Sequence, residues 1–190
     1  MQKMTEQELA SRCAQGDDAA RKELYLTYGT RMRALCRRYT ANAAEADDLM
    51  QDTFIKIFRV IDRFVWTRPG SLYSWMSRVA INMAFDSAKL KKRLAREIMD
   101  VEDLVDAASE EPDRDGTETI PFEALKDMIE TLPEGYRTVF KLYCIDNLSH
   151  KEIASLLGIK EKSSSASLAR ARASLASAIK KYLENIRSNS

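Results

Sequence analysis

Glycine and proline are scarce, six and four in 190 residues. A turn-rich β fold needs many of both, so this shortage favours helices. Cysteine is scarcer still. Cys13, Cys36 and Cys144 are odd in number and far apart, which suits reduced, core-type thiols in a cytoplasm better than a disulfide framework. Histidine occurs once, at His150, and no His/Cys spacing offers a metal site. No GxSxG or P-loop is present, so neither a cofactor nor a catalytic role is expected. There is no apolar run of about 18 residues and no signal-peptide pattern in the polar start MQKMTEQELASRC, so no membrane span is expected.

What the chain does have is enough apolar residue, 45%, for a packed core, and enough length for one ordinary domain or two small ones. Its formal net charge of +1 hides a strong asymmetry. Residues 97–120 hold ten acids against Arg114 alone, net −9, between a +7 segment (1–96) and a +3 segment (121–190). Two basic units around an acidic strip point to a polyanion partner, although a charge run can also be plain solvated surface. The strip has no sustained period and includes Pro112 and Gly116, so it reads as a linker.

Before the strip the pattern is helical. Apolar residues recur at Leu24, Tyr28, Met32, Leu35 and Tyr39, and again at Ala46, Met50, Phe54, Ile57 and Ile61. FVWTRPGS (64–71) breaks the period, with Pro69 and Gly70 turning the chain and Ser71 able to cap a following helix. That helix is predicted to run to about Arg96. Its first half carries Trp75, Val79 and Met83 for burial, and Arg78, Asn82 and Asp86 fall one turn apart on a separate polar stripe. Its second half is basic, with Lys89, Lys91, Lys92, Arg93 and Arg96.

After the strip, Leu125, Met128, Ile129 and Leu132 mark one helix, and Val139, Phe140, Leu142 and Tyr143 the next. DNLSHKEIASLLGIKEKSSSASLARARASL (146–175) follows. Ser149 and Glu152 form a capping box, with His150 beside it in a capping or solvent-contact role. Gly158 marks the turn, and Leu168, Ala171, Leu175 and Ile179 are the inner face of a long second helix. Short helix, glycine turn and long helix is the helix-turn-helix plan, and an ordinary αα-hairpin shares its outline. In a DNA-binding version the second helix lies in the major groove, with Lys160, Lys162, Ser163, Ser167, Arg170 and Arg172 as candidates for contact. The architecture expected is therefore all-α: two small helical domains joined by an acidic linker, the second containing a helix-turn-helix.

Three stretches, in order, resemble a sigma factor of bacterial RNA polymerase of the sigma-70 family, extracytoplasmic-function (ECF) subfamily. AEADDLMQDTFIKIFR (44–59) is similar to the helix that docks on the β′ clamp. LYSWMSRVAINMAFDSAKLKKR (72–93) is similar to the helix that opens and reads the −10 element. LPEGYRTVFKLYCIDNLSHKEIASLLGI (132–159) followed by LARARASL (168–175) is similar to the domain that reads the −35 element. The resemblance implies a region-2-like domain over 1–96 and a region-4-like domain over 121–190. It implies promoter DNA and core RNA polymerase (β′ clamp and β flap) as partners, with an anti-sigma factor as a further one.

Carried onto this chain, Asp48, Leu49, Gln51, Asp52 and Phe54 would meet polymerase, although Phe54 also falls on the buried period. Arg78 and Asn82 would face the −10 element, Lys89, Lys92 and Arg93 would grip phosphates, and the loop FVWTRPGS would receive a flipped base. The chain departs from the family pattern at KSSSASL (162–168), where the family usually resembles GTVKSRL. Ser164 stands where an apolar or small residue is common, and Ser165 and Ser167 replace a usual Lys and a usual Arg or Gln. Short hydroxyls reach only near groups, so −35 contact is expected to weaken or to shift to Lys160, Lys162, Arg170 and Arg172. A free-standing helix-turn-helix regulator would account for 121–190 but not for the two earlier stretches.

Overall fold

The computed structural model describes residues 4–86, 88–99 and 120–188, without the side chains of 88–92, 99 and 187. Among the described residues there is no strand. The helices are α1 (Glu6–Ala14), α2 (Asp18–Arg37), α3 (Ala43–Val60), α4 (Ser71–Ala84), α5 (Ala88–Met99), α6 (Phe122–Glu130), α7 (Glu134–Phe140), α8 (His150–Leu157) and α9 (Glu161–Ser188). Contacts divide the chain into two units, Met1–Ser87 and Ala88–Ser190.

In the first unit the starts of α1, α2 and α3 each have a local side chain to meet their unpaired N–H groups. Thr5 and Glu8 form a capping box on α1. Asp17 accepts from the Ala19 and Ala20 amides on α2, and Asn42 accepts from Glu45 on α3. The apolar period then assembles Leu24, Met32 and Leu35 of α2, Ile57 of α3, and Leu72 and Met76 of α4 into one fully buried core. A forked ion pair ties α2 to α3, the Arg33 guanidinium donating to both Asp47 oxygens at 2.5 and 2.6 Å. It holds the Asp47 carboxyl below its ordinary range.

Three expectations need correcting here. The helix expected over 71–96 is two helices. Phe85 ends α4, its N–H bonding to the Ile81 carbonyl, and its side chain turns inward, edge-on to Tyr39 at 5.2 Å. Burial of that ring stops the helix where no glycine or proline marks a stop. The inner face of α4 is Leu72, Met76, Ala80 and Ile81, whereas Trp75, Val79 and Met83 are only half-buried along its flank. Gly70, not Ser71, occupies the cap position, in the left-handed region at φ 85°. The Ser71 hydroxyl instead accepts a long bond from the Thr67 amide, 3.4 Å.

In the second unit α5 packs with α7, α8 and α9. Leu94 and Ile98 are buried, and Arg93 pairs with Glu134 at 2.5 Å. Gly135 is needed at this crossing, because a Cβ there would stand 2.8 Å from the Ile98 Cγ1. Contacts thus group α5, which runs to Met99, with the second unit. Residues 100–119 of the expected linker lie outside the described residues. Val139, Leu142, Ile153, Leu157, Leu168 and Ala171 complete the buried core.

Candidate nucleic-acid interface

The α4 stripe forms in part. Arg78 and Asn82 are exposed on the side of the helix away from Met76 and Ala80; Asp86 is exposed too but lies past the end of α4. The loop before it presents Val65 and Trp66 to solvent, while Phe64 turns back onto Trp75, ring centroids 5.7 Å apart. An exposed apolar residue can hold an unstacked base, and an exposed donor-and-acceptor amide can read a base edge; the loop stands at the start of α4 and Asn82 in its last turn. The basic half behaves differently. Arg93 sits on α5 in the second unit, so it does not continue the Arg78–Asn82 stripe on one helix. The side chains of Lys89 and Lys92 lie outside the described residues.

On α3, Asp48, Gln51 and Asp52 are exposed and Leu49 is half-buried. Phe54, which the spacing allowed as either docking anchor or core, is core. It is 3% exposed and packs between Tyr25 (4.9 Å) and Phe58 (6.0 Å). The exposed apolar residues on α2 and α3 are instead Tyr25, Leu26 and Ile55. Sequence reasoning missed Ile55 because it falls between two buried positions of the period.

The helix-turn-helix begins at the expected capping box. The Ser149 hydroxyl accepts from the Glu152 amide, and a Glu152 oxygen accepts from the Ser149 amide. Gly158 ends α8 in the left-handed region at φ 71°, and its N–H and that of Ile159 both bond to the Ala154 carbonyl. Lys160, Lys162, Ser165 and Arg172 are exposed and Arg170 half-buried. The other serines are not at the surface. Ser163, Ser164 and Ser167 are 1%, 0% and 1% exposed, so Ser163 and Ser167 are corrected from base-edge candidates to interior residues. Ser167 satisfies itself locally, donating to the Ser163 carbonyl one turn back at 2.8 Å. Ser164 meets His150 across the two helices, Oγ to Nδ1 at 3.0 Å.

His150, the first residue of α8, is half-buried and bonds across to α9 while keeping part of its surface in solvent. Its ring lies on Tyr143 at 4.5 Å, and the Arg172 guanidinium is 6.0 Å from the same tyrosine. Burial holds the imidazole below its ordinary pKa; nearby Glu161 opposes this and Arg172 adds to it. The unfolded chain then binds a proton more readily than the folded one does, so acid favours unfolding. Stability of the second unit is expected to be full above the ordinary imidazole pKa and to decline as pH falls through it. Thermal melts at stepped pH check this, and His150→Gln should flatten that part of the profile.

Among the described residues no group of His, Cys, Asp and Glu could hold a metal, and no helix is long and apolar enough to cross a membrane. A capped short helix, a left-handed glycine and a long helix with exposed lysines at its start place the second unit in the helix-turn-helix class of DNA-binding folds. Comparison with known proteins narrows this. Residues 24–94 match sigma-70 region 2, and residues 122–175 match sigma-70 region 4. The chain is 32% identical over 152 residues to the ECF RNA polymerase sigma factor SigW of Bacillus subtilis (strain 168), covering 76% of this chain and 80% of SigW. It is 30% identical over 151 residues to the ECF sigma factor SigE of Mycolicibacterium smegmatis (77% of this chain), and spans 58% of that longer protein. Among solved structures it is similar in fold to CnrH in complex with the cytosolic domain of CnrY (24% identity, TM-score 0.51, 91% of this chain and 96% of that one). It is also similar in fold to the sigma factor RpoE in complex with the anti-sigma factor NepR from Bartonella quintana (22% identity, TM-score 0.50, 84% and 96%). The chain belongs to the ECF branch of the sigma-70 family.

Proposed function

We propose that this chain binds bacterial core RNA polymerase and directs it to specific promoters, opening the −10 element with the first unit and contacting the −35 element with the second. One observation carries the reading. The two matched regions occur in promoter-reading order, and each presents an exposed polar surface where that role needs one: Arg78 and Asn82 on α4, and Lys160 and Lys162 at the start of α9.

Polymerase would meet α3 through Asp48, Gln51 and Asp52, with Leu49, Tyr25 and Ile55 as apolar contacts and Phe54 supporting them from beneath. The α9 lysines with Arg170 and Arg172 would supply a salt-dependent grip on the −35 duplex. In place of Ser163 and Ser167, Ser165 is the serine positioned for a groove. The chain would do no bond chemistry of its own: polymerase makes RNA and this protein selects where, in the cytoplasm. An anti-sigma factor and the β flap complete the set of partners implied by the family.

The test is transcription in vitro by core polymerase, with and without this chain, on a pool of genomic fragments. Specific starts that share paired upstream elements are the expected result. Sequence-specific DNA binding with no association with core polymerase would leave a stand-alone regulator instead.

A further inference from the structure

Helix α4 has an unusual start. Its cap residue, Gly70, has no side chain, and no acidic residue lies in its first turn. Four N–H groups at a helix N-terminus need acceptors, and a negative charge there is favoured by the helix dipole. The acceptor comes from the far end of the unit. Both carboxylate oxygens of Glu6 accept from the Gly70 amide at 3.0 Å, and one also lies 3.5 Å from the Leu72 amide. The Tyr28 hydroxyl donates to the same carboxylate at 3.2 Å, and its ring is stacked with Tyr73 of α4 at 6.2 Å. Arg31 covers Tyr73 at 3.8 Å. Glu6 lies outside the region-2 match, which begins at residue 24.

We infer that Glu6 is a positioning residue for −10 recognition: it caps α4 in place of a local side chain and fixes the end of the loop that presents Val65 and Trp66. The inference rests on the initiation-factor reading of the first unit. Gly70 sits at φ 85° with open space where a side chain would stand; the loop is held locally by Phe64 on Trp75 and by the Ser71 amide on the Arg68 carbonyl, and the hydrogen bonds from the Gly70 amide to Glu6 tie its end to α1. A turn left without those hydrogen bonds samples other orientations, and Val65 and Trp66 no longer hold one fixed position ahead of the Arg78 and Asn82 face of α4. Pre-organisation is then lost without loss of any contact residue.

The test uses the full chain assembled with core polymerase and a fluorescent single strand carrying the non-template −10 sequence of a promoter found by the transcription assay. Glu6→Ala is expected to weaken binding of that strand about tenfold, equivalent to roughly 1.4 kcal/mol, and to narrow the discrimination against strands with one substituted base. Glu6→Gln, which keeps one carbonyl acceptor, should fall between Glu6→Ala and wild type. Affinity for core polymerase, and −35 duplex binding by the free chain, should match wild type in both variants. Wild-type −10 affinity and discrimination in Glu6→Ala would overturn the inference alone. So would a parallel loss of core binding in both variants, which would mark a purely structural role. Failure of the wild-type assembly to bind any −10 strand would overturn the initiation-factor reading, and this inference with it.

Discussion

Asn82→Ala is expected to reduce specific starts by about one to two orders of magnitude while leaving the fold unchanged. The side chain is exposed on α4, so its removal opens no cavity and strands no buried group. What it removes is an amide that both donates and accepts, on the helix face that Arg78 also occupies. A well-placed contact to a base edge is worth roughly 1–3 kcal/mol of discrimination, or about 5- to 150-fold in binding. The loss should therefore depend on the −10 sequence and be nearly independent of salt. Arg78→Ala should behave in the opposite sense, weakening all promoters similarly and most at low salt. Run-off transcription on matched and single-base-substituted promoters separates the two. An Asn82→Ala protein with an unchanged melt and unchanged promoter choice would remove α4 from the reading surface.

Ile57→Ala is expected to destabilise the first unit by about 2–5 kcal/mol. Ile57 is 0% exposed, in the core formed with Leu24, Met32, Leu35, Leu72 and Met76. Truncation removes apolar contact and leaves a cavity that neighbours on three helices cannot close without moving. Total stability for a small domain is about 5–15 kcal/mol, and each kcal/mol shifts the melt of a unit this size by about 4–8 °C. The melting temperature should fall by about 10 °C or more. Ile55 is the control. Two residues earlier on α3 and 50% exposed, it should change stability by less than about 0.5 kcal/mol when truncated. Ile55→Ala should instead weaken association with core polymerase, because an exposed isoleucine beside Asp52 has more to gain from a partner than from the fold. Calorimetry of the two variants and a core-binding titration of Ile55→Ala check the contrast. Equal melts for Ile57→Ala and wild type would contradict the core assignment.

Much of this fold was legible along the chain because helices advertise themselves locally. The three-four period picked out Leu24, Met32, Leu35 and Ile57 before any contact was known, since one face of a helix must be apolar to be buried. The Ser149–Glu152 capping box and the Gly158 turn were legible for a similar reason: their hydrogen bonds close within a few residues. The exposed stripe of Arg78 and Asn82 followed from spacing alone. Phe54 carried an ambiguity that spacing cannot resolve, because a docking anchor and a core residue are the same side chain on the same period.

What the sequence by itself determined, then, was the helical class, the caps, the turn of the helix-turn-helix and the polar faces. These depend on interactions between residues one or two turns apart. Tertiary structure alone decided where α4 ends, because Phe85 is pulled inward by Tyr39, a partner far away in the chain. It decided that α5 belongs with the second unit, through Leu94 and Ile98 against a glycine at 135. It decided the fate of the serines, since a hydroxyl that looks like surface can be buried once it bonds to a carbonyl one turn back or to His150. And it supplied α4 with a cap from Glu6, 64 residues before Gly70. Local patterns specify what each helix offers; which offer is taken up depends on groups brought together only by folding, and no period along the chain records their meeting.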